Sequence, residues 1–462
     1  MRRLLSRFGP LSFYREAIAI ALPVMLQQFI MSMVSLVDNF MVAGLGDIAM
    51  ASVNVTNQIF FVYLIIINTI CQAGGIYIAQ FCGAGDVDGM KHAFRFKVIF
   101  AFTAAVLFFI LCRTIPHRMI ALMTMGNAEQ EEIVTVGTGY LKLVSWTLFP
   151  IAVSFSVGTS FREIARPKAP LVISAVATLV STAGNWILIY GNLGAPRLEV
   201  SGAAYATIIA RICELLMFLI YTPKIKAPFF VGINQLLNVR WKFFREIIYK
   251  SGMIFASEMS WVISETVLTA MYNRRGGAEV VAGMAAGYTI ANIFFLVFNG
   301  IWISAAVLVG GALGAGKLDL ARNRAKWLGA GAVAAGFIMS LPGAVFSVLI
   351  VPVVFSNLSA AARYNCLGMV FVILIYLPAW SFLNVQFAVS RAGGDAAPGM
   401  YADLSVSTLL FIPGAIIISF LTSMPPVPMF ALLKLADFIK IFIMHHFLKK
   451  ERWVKNLTKN QP

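Results

Sequence analysis

The sequence predicts an all-α membrane protein, with twelve transmembrane helices arranged as two pseudo-symmetric six-helix lobes around a central cavity. Three observations predict it: the composition, the recurrence of long apolar runs, and an internal repeat. Of 462 residues, 60% are hydrophobic and 12% charged, and the mean hydropathy is +0.83. Soluble domains carry about 25% charged residues, so the solvent that fits this chain is a bilayer. Apolar runs of roughly 20 residues, the length that crosses a hydrocarbon core of about 30 Å, recur along the whole chain and leave no stretch for a soluble catalytic domain.

Apolar length and loop signals place the spans near residues 15–43, 50–82, 93–115, 134–160, 169–191, 202–222, 250–273, 280–313, 327–352, 365–390, 400–422 and 426–448. Met1-Arg2-Arg3 before an apolar stretch resembles a secretory signal. The apolar segment runs on through Asp38 and further spans follow at once, which predicts a retained first helix. The formal net charge of +16 lies in short loops rather than on one face, which argues for membrane topology and against nucleic-acid binding. The five cysteines, Cys71, Cys82, Cys112, Cys213 and Cys366, form no CxxC pair and read as small buried hydrophobes.

Assigning loops alternately collects Arg2, Arg3 and Arg7, then Lys91, Arg95 and Lys97, then Arg162, Arg166 and Lys168 on one side. Lys224, Lys226, Arg240, Lys242 and Arg245, then Lys317, Arg322, Arg324 and Lys326, and last Lys449, Lys450, Arg452, Lys455 and Lys459 fall on that side too. The opposite loops are poorer in Lys and Arg and carry Asp47, Glu129, Glu131, Glu132 and an Arg197/Glu199 pair. The positive-inside rule puts both termini in the cytoplasm and the protein in the cell inner membrane. An even number of crossings follows, which twelve satisfies.

The chain repeats itself. Gly83-Ala84-Gly85-Asp86-Val87-Asp88 returns as Gly314-Ala315-Gly316-Lys317-Leu318-Asp319, an offset of 231 residues (314 − 83), half the length. Pro150 matches Pro378, and Arg166 to Pro170 matches Arg391 to Pro398. Six spans per half make these parallel repeats. The predicted divisions are 1–222 (spans 1–6), a basic cytoplasmic linker at 223–249, 250–448 (spans 7–12) and a basic tail at 449–462.

Gly311-Ala-Leu-Gly-Ala-Gly316-Lys317-Leu318 reads as GxxxxGK, but a phosphate loop needs Ser or Thr next and a preceding strand. The repeat puts Asp86 where Lys317 stands, which would repel phosphate. These glycines are expected to end helices and turn the chain, and no ATP is expected as a partner.

Charged residues inside spans are the candidates for function. Asp38 lies in the first span, where an ionised carboxylate facing lipid would cost about 2.5–3.5 kcal/mol, so it must face the bundle interior or water. Glu258 and Glu265 in the seventh span are two turns apart and share a face. Arg211 and Glu214, like Asp437 and Lys440, are spaced i, i+3 and read as structural pairs. Lys434 has no evident partner in the sequence. Asp403 reads as a local cap or pair, and His445 and His446 as solvated groups at a helix end. Asn54, Asn57, Gln58, Asn185 and Asn292 read either as interhelical hydrogen-bonding groups or as cation ligands. Pro23, Pro150 and Pro378 interrupt helices and free carbonyls.

Several segments together resemble the MATE (multidrug and toxic compound extrusion) transporters. They are Val37-Asp38-Asn39-Phe40-Met41-Val42-Ala43-Gly44-Leu45-Gly46, Gly83-Ala-Gly-Asp, Gly202-Ala203-Ala204-Tyr205-Ala206-Thr207, Ser257-Glu258-Met259-Ser260-Trp261 and Arg452-Trp453-Val454-Lys455-Asn456. The resemblance runs the length of the chain. It implies two six-helix lobes and exchange of H⁺ or Na⁺ for an exported organic compound, often cationic. It implies a coupling-ion site at Asp38, Asn185 and Thr207, with Na⁺ at Asp38 as the one metal left open. Glu258 matches an acidic position of the carboxyl lobe. Members with a Na⁺ site there pair that glutamate with an aspartate in the tenth span, and Leu367 to Ser390 contains no acid. This departure favours protonation as the coupling event.

The resulting expectation is a cation-coupled antiporter, not an enzyme. Glu258, Glu265, Asn54, Asn57 and Gln58 line a substrate cavity that favours cations, and Pro23 is a hinge of the first helix. The partners are a small organic cation and membrane lipid, the chain acts as a monomer, and no cofactor is resident beyond the transported ion. A flippase for lipid-linked saccharide precursors is the alternative; it would want several in-span Arg or Lys for a pyrophosphate. An intramembrane enzyme would need a paired Asp, His/Asp or Ser/His arrangement, and no histidine lies within the depth of a span. A phosphatase that is active only outside the cytoplasm is expected to be active when inserted at Glu131 and inactive when fused after Pro462. The reverse pattern would invert the topology.

Overall fold

A computed structural model describes residues 8–125 and 129–459. Arg2, Arg3 and Arg7, counted above in the cytoplasmic charge, lie outside the described residues. Among those described there is helix and no strand, as a bilayer requires of a chain whose backbone groups must pair within each segment. Among the described residues ten helices are long and apolar enough to cross on their own: Leu11–Ala43, Asp47–Ala84, Val87–Thr114, Gln130–Glu163, Lys168–Tyr190, Glu199–Lys224, Glu279–Gly314, Leu318–Val354, Ala360–Ala392 and Ala397–Leu421. The predicted seventh span is the first part of a helix Trp241–Ser304 that breaks at Gly276 and Gly277. The twelfth is Pro426–Lys434 followed by Ala436–Lys449, joined through Leu435 at helical φ −60° and ψ −25°. The twelve predicted crossings are thus all helical. Large apolar side chains such as Leu179, Leu341, Ile375, Leu421 and Phe442 stand exposed, as lipid-facing residues do.

Two compact units divide the chain: residues 26–78 with 86–248, and residues 1–25 and 79–85 with 249–462. In the first, span 3 runs along span 4 and span 5 along span 6. In the second the same pairings recur, with span 9 along span 10 and span 11 along span 12. The start of the first helix belongs to the second unit. Phe13, Ala17, Ile20 and Val24 present one stripe at helical spacing to Ile290, Phe294, Leu308 and Leu374. Pro23 is buried within an unbroken Leu11–Ala43 helix, two residues before the point at which that helix passes from one unit to the other.

The duplicated glycine motif is a helix crossing. A Cβ on Gly83 would fall on the backbone of Gly311, and one on Gly314 would fall on the backbone of Gln80. Small residues are what allow two membrane helices to approach this closely. Gly85 and Gly316, both at φ +73°, then end the two helices in the left-handed conformation that glycine adopts without penalty. Gly311–Gly314 is therefore helix, not a phosphate-cradling loop. Asp86 caps the next helix by accepting from the Gly89 N–H at 2.9 Å; its counterpart Lys317 offers no such acceptor.

The tail locks onto this crossing. Gln80 donates to the Ala392 carbonyl at 2.8 Å and accepts from the Leu457 N–H at 2.9 Å, Asn456 donates to the Gly314 carbonyl at 3.0 Å, and Trp453 is buried. Gly83→Leu and Gly314→Leu are each expected to abolish the monodisperse peak in fluorescence-detected size exclusion, because backbone cannot retreat from a side chain. Gly139→Leu, at a site open to at least 4 Å, should leave that peak in place.

Candidate functional site

In the unit formed by residues 26–78 and 86–248, spans 1, 2, 4, 5 and 6 enclose a cavity of about 490 Å³, within the range of small-molecule sites. The first helix contributes Gln28, Ser32, Ser35, Asp38 and Asn39, the fifth Thr178, Ser181 and Asn185, and the sixth Thr207 and Arg211. Each set follows the i, i+3, i+4 spacing of one helix face, so a polar stripe on each of these three helices converges on a common space. Asn57 and Tyr140 join from spans 2 and 4.

Asp38 is half-buried at this wall. Its Oδ1 accepts from Asn185 Nδ2 at 2.9 Å and from Thr182 Oγ1 at 3.4 Å. Asn185 Oδ1 is buried and has no hydrogen-bond partner among the described residues, so the cluster holds an acceptor that an arriving proton carrier or cation would satisfy. Thr207 lines the cavity but donates to the Ala203 carbonyl of its own helix at 2.9 Å, so its tie to Asp38 is shared space rather than a bond. Thr182 escaped sequence reading because a threonine in a span usually bonds its own helix. The stripe Thr178, Ser181, Thr182, Asn185 was the available signal.

The structure gathers Asp38, Asn185, Thr207 and Asn57 around one cavity. Asn54 and Gln58 do not line it, since at about 100° per residue both are turned to the same side of the inward face that Val53 and Asn57 present. Glu258 and Glu265, expected to line a cation-favouring cavity, belong to the other unit and are both ion-paired. Glu258 is ion-paired with Arg391 at 3.1 Å, and the guanidinium also reaches Ser257 Oγ at 3.3 Å and lies 4.6 Å from the Trp302 ring centroid. Glu265 is ion-paired with Lys434 and accepts from Tyr288 Oη at 2.6 Å, which gives Lys434 the partner that the sequence did not reveal. Lys440 bridges Asp403 and Asp437 at 3.1 Å each, and Asp403 accepts from Ser257. Each of the two acids that the sequence assigns to a cation-favouring cavity is thus paired with a basic side chain. Arg211 and Glu214 are paired at 2.8 Å, as their i, i+3 spacing predicts.

Lys97 corrects the loop reading. It is not a cytoplasmic loop residue but a fully buried member of the third span, 2.9 Å from Glu163 Oε2 and 3.0 Å from Ser160 Oγ. The room is supplied by Gly74 and Gly75, where any Cβ would strike the two side chains. Among the described residues no group of three or more His, Cys, Asp or Glu side chains is arranged to hold a metal ion.

The MatE family model matches residues 23–187 and again 254–417, one match in each copy of the internal repeat. A multidrug resistance protein MdtK of Edwardsiella ictaluri is 24% identical over 345 residues, 73% of either chain. A probable multidrug resistance protein NorM of Thermotoga maritima is 25% identical over 66% of this chain and 64% of its own. Among solved structures, a MATE transporter of Vibrio cholerae superposes with a TM-score of 0.83 over 96% of this chain and 98% of its own, at 16% identity. An outward-facing multidrug resistance MATE transporter gives 0.81 over 97% of each, at 15%. Replacing one member of the buried ion pair, in Lys97→Met, is expected to cost about 3–5 kcal/mol by stranding Glu163. Lys97→Met/Glu163→Leu should recover most of it, both read as melting temperatures of the purified protein.

Proposed function

Since the chain belongs to the MatE family, we propose that it exports organic compounds by cation-coupled antiport with alternating access, Asp38 being the carboxylate that carries the coupling ion. One observation carries this reading: a carboxylate within the first span faces a polar cavity and is held by a neutral amide and a hydroxyl. A residue in a membrane span that kept its charge for structure alone would be paired, as Lys97 and Glu163 are. The relatives named for multidrug resistance support export of foreign organic compounds as the direction and substrate class.

Protons are the coupling ion in this reading. In the second unit, Arg391 and Lys434 fill the positions beside Glu258 and Glu265 that a bound metal cation would need. In the first unit, the acid that binds the ion is hydrogen-bonded by an amide and a hydroxyl, both neutral, and can neutralise by protonation. Asn185 serves both states, donating to the carboxylate through Nδ2 or, after its amide turns, accepting from the protonated acid through Oδ1. Pro23 leaves the Ala19 carbonyl without its helical N–H donor and is the point at which protonation of Asp38 would bend the first helix. The protein sits in the inner membrane with both termini cytoplasmic. A flippase for lipid-linked saccharides gains no support, because the in-span cations Lys97, Arg391, Lys434 and Lys440 are all bound to carboxylates.

In proteoliposomes loaded with a fluorescent lipophilic cation, an imposed pH gradient is expected to drive efflux and an imposed Na⁺ gradient is not. Asp38→Asn should abolish the driven component while leaving binding of the dye measurable, and Asn185→Ala should lower the rate about tenfold through loss of one charge-assisted hydrogen bond. Undiminished driven efflux in Asp38→Asn would remove Asp38 from the coupling step.

A further inference from the structure

Asp38 shares its cavity with one other charged side chain. Arg211 of span 6 lines it, while the remaining lining groups are uncharged, Tyr140 being the one further titratable side chain among them. The Arg211 side chain is 33% exposed. Its anchor Glu214 is 8% exposed and does not line the cavity. Glu214 is in turn held from behind, accepting from Ser174 Oγ at 2.9 Å, and Ser174 accepts from Gln27 Nε2 at 2.9 Å. The ion pair is therefore an oriented dipole, its guanidinium end turned to the cavity and its carboxylate end fixed in the protein.

We propose that Arg211 is a tethered counter-cation that makes the Asp38 site select protons over sodium. The proposal rests on Asp38 being the coupling carboxylate. A fixed positive charge at the wall of a partly dry cavity weakens the hold of Asp38 on any cation by a common Coulomb factor, but the two ions meet that factor differently. A proton forms a covalent O–H bond, and a tenfold loss moves its affinity by one pH unit, within the range over which a carboxyl still cycles. A sodium ion must exchange its hydration shell for protein oxygens, and on the Arg211 side the cavity offers N–H donors, which have no lone pair to give. Asn185 Oδ1, Asn57 and the hydroxyls of Ser32, Ser35 and Thr207 would otherwise supply a hard-oxygen shell beside Asp38. The guanidinium is what disqualifies it.

The test is binding of radioactive sodium to purified protein at millimolar concentration. It compares the natural sequence, Arg211→Gln/Glu214→Gln, and that variant with Asp38→Asn added. Replacing both members of the pair removes the charges without stranding Glu214. The natural sequence is expected to bind no sodium above background, the double variant to bind at least tenfold more tightly, and the triple variant to lose that binding. In proteoliposomes the midpoint of pH-driven efflux should move up by about one unit in the double variant, since removing a positive charge favours the protonated acid. A merely structural role for Arg211 would move neither reading in this coordinated way. Arg211→Met is the second variant should the double one elute as aggregate. Sodium binding to the natural sequence as tight as to the double variant overturns the proposal. So does a monodisperse variant that binds no sodium and keeps the natural pH midpoint. Retention of driven efflux in Asp38→Asn of the natural background would instead overturn the coupling role on which it rests, and the two failures are read in separate assays.

Discussion

Hydrocarbon offers no hydrogen bonds and little screening, so every charge that enters the span region must find its complement within the chain, and most of this architecture can be derived from where those complements stand. Lys97 with Glu163, Glu258 with Arg391, Glu265 with Lys434, and Lys440 with Asp403 each join two different spans. Removing one member of such a pair leaves a buried charge whose desolvation is no longer offset, so these contacts fix which helices must be neighbours. Asp38 differs in kind: its hydrogen-bond donors are an amide and a hydroxyl, which satisfy a lone pair without cancelling the charge.

The duplication keeps the positions of the polar network while inverting its sign. In the sixth span Arg211 precedes Glu214 by three residues, and in the twelfth Asp437 precedes Lys440 by three. Glu214 takes a hydrogen bond from Ser174 of span 5, whereas Lys440 is bound by Asp403 of span 11. The hub of one unit is a carboxylate and the hub of the other an ammonium. An i, i+3 pair is neutral in either order, so the helices tolerate the exchange, but the polarity presented to neighbouring groups is reversed. This gives a physical reason for two copies of one scaffold to differ, one holding an acid that faces a polar cavity and the other a set of closed pairs.

The glycines do for the backbone what the ion pairs do for the side chains. Gly83 and Gly314 meet the opposite copy's helix at backbone distance, and Gly74 and Gly75 clear the volume that Lys97 and Glu163 fill. Once these clearances exist, Gln80, Asn456 and Leu457 can complete the polar accounting at the helix ends, where backbone carbonyls would otherwise go unbonded. The tail thereby becomes part of the fold rather than an appendage.

Sequence alone determined the class, the number and approximate limits of the crossings, the duplication and the family, because apolar length, loop charge and a repeated glycine motif are local or periodic signals. It also marked Asp38, since an acid in a long apolar run is conspicuous wherever its neighbours lie. It misread Lys97 as a loop cation because a lysine four residues from a predicted helix boundary looks the same whether it emerges into water or is drawn inward by Glu163, 66 positions away. It did not reveal the partners of Glu258 and Glu265 for the same reason: Arg391 and Lys434 lie in other spans. Tertiary structure decided which charges are cancelled and which are left to act, because pairing depends on distances across helices that no spacing along one helix encodes.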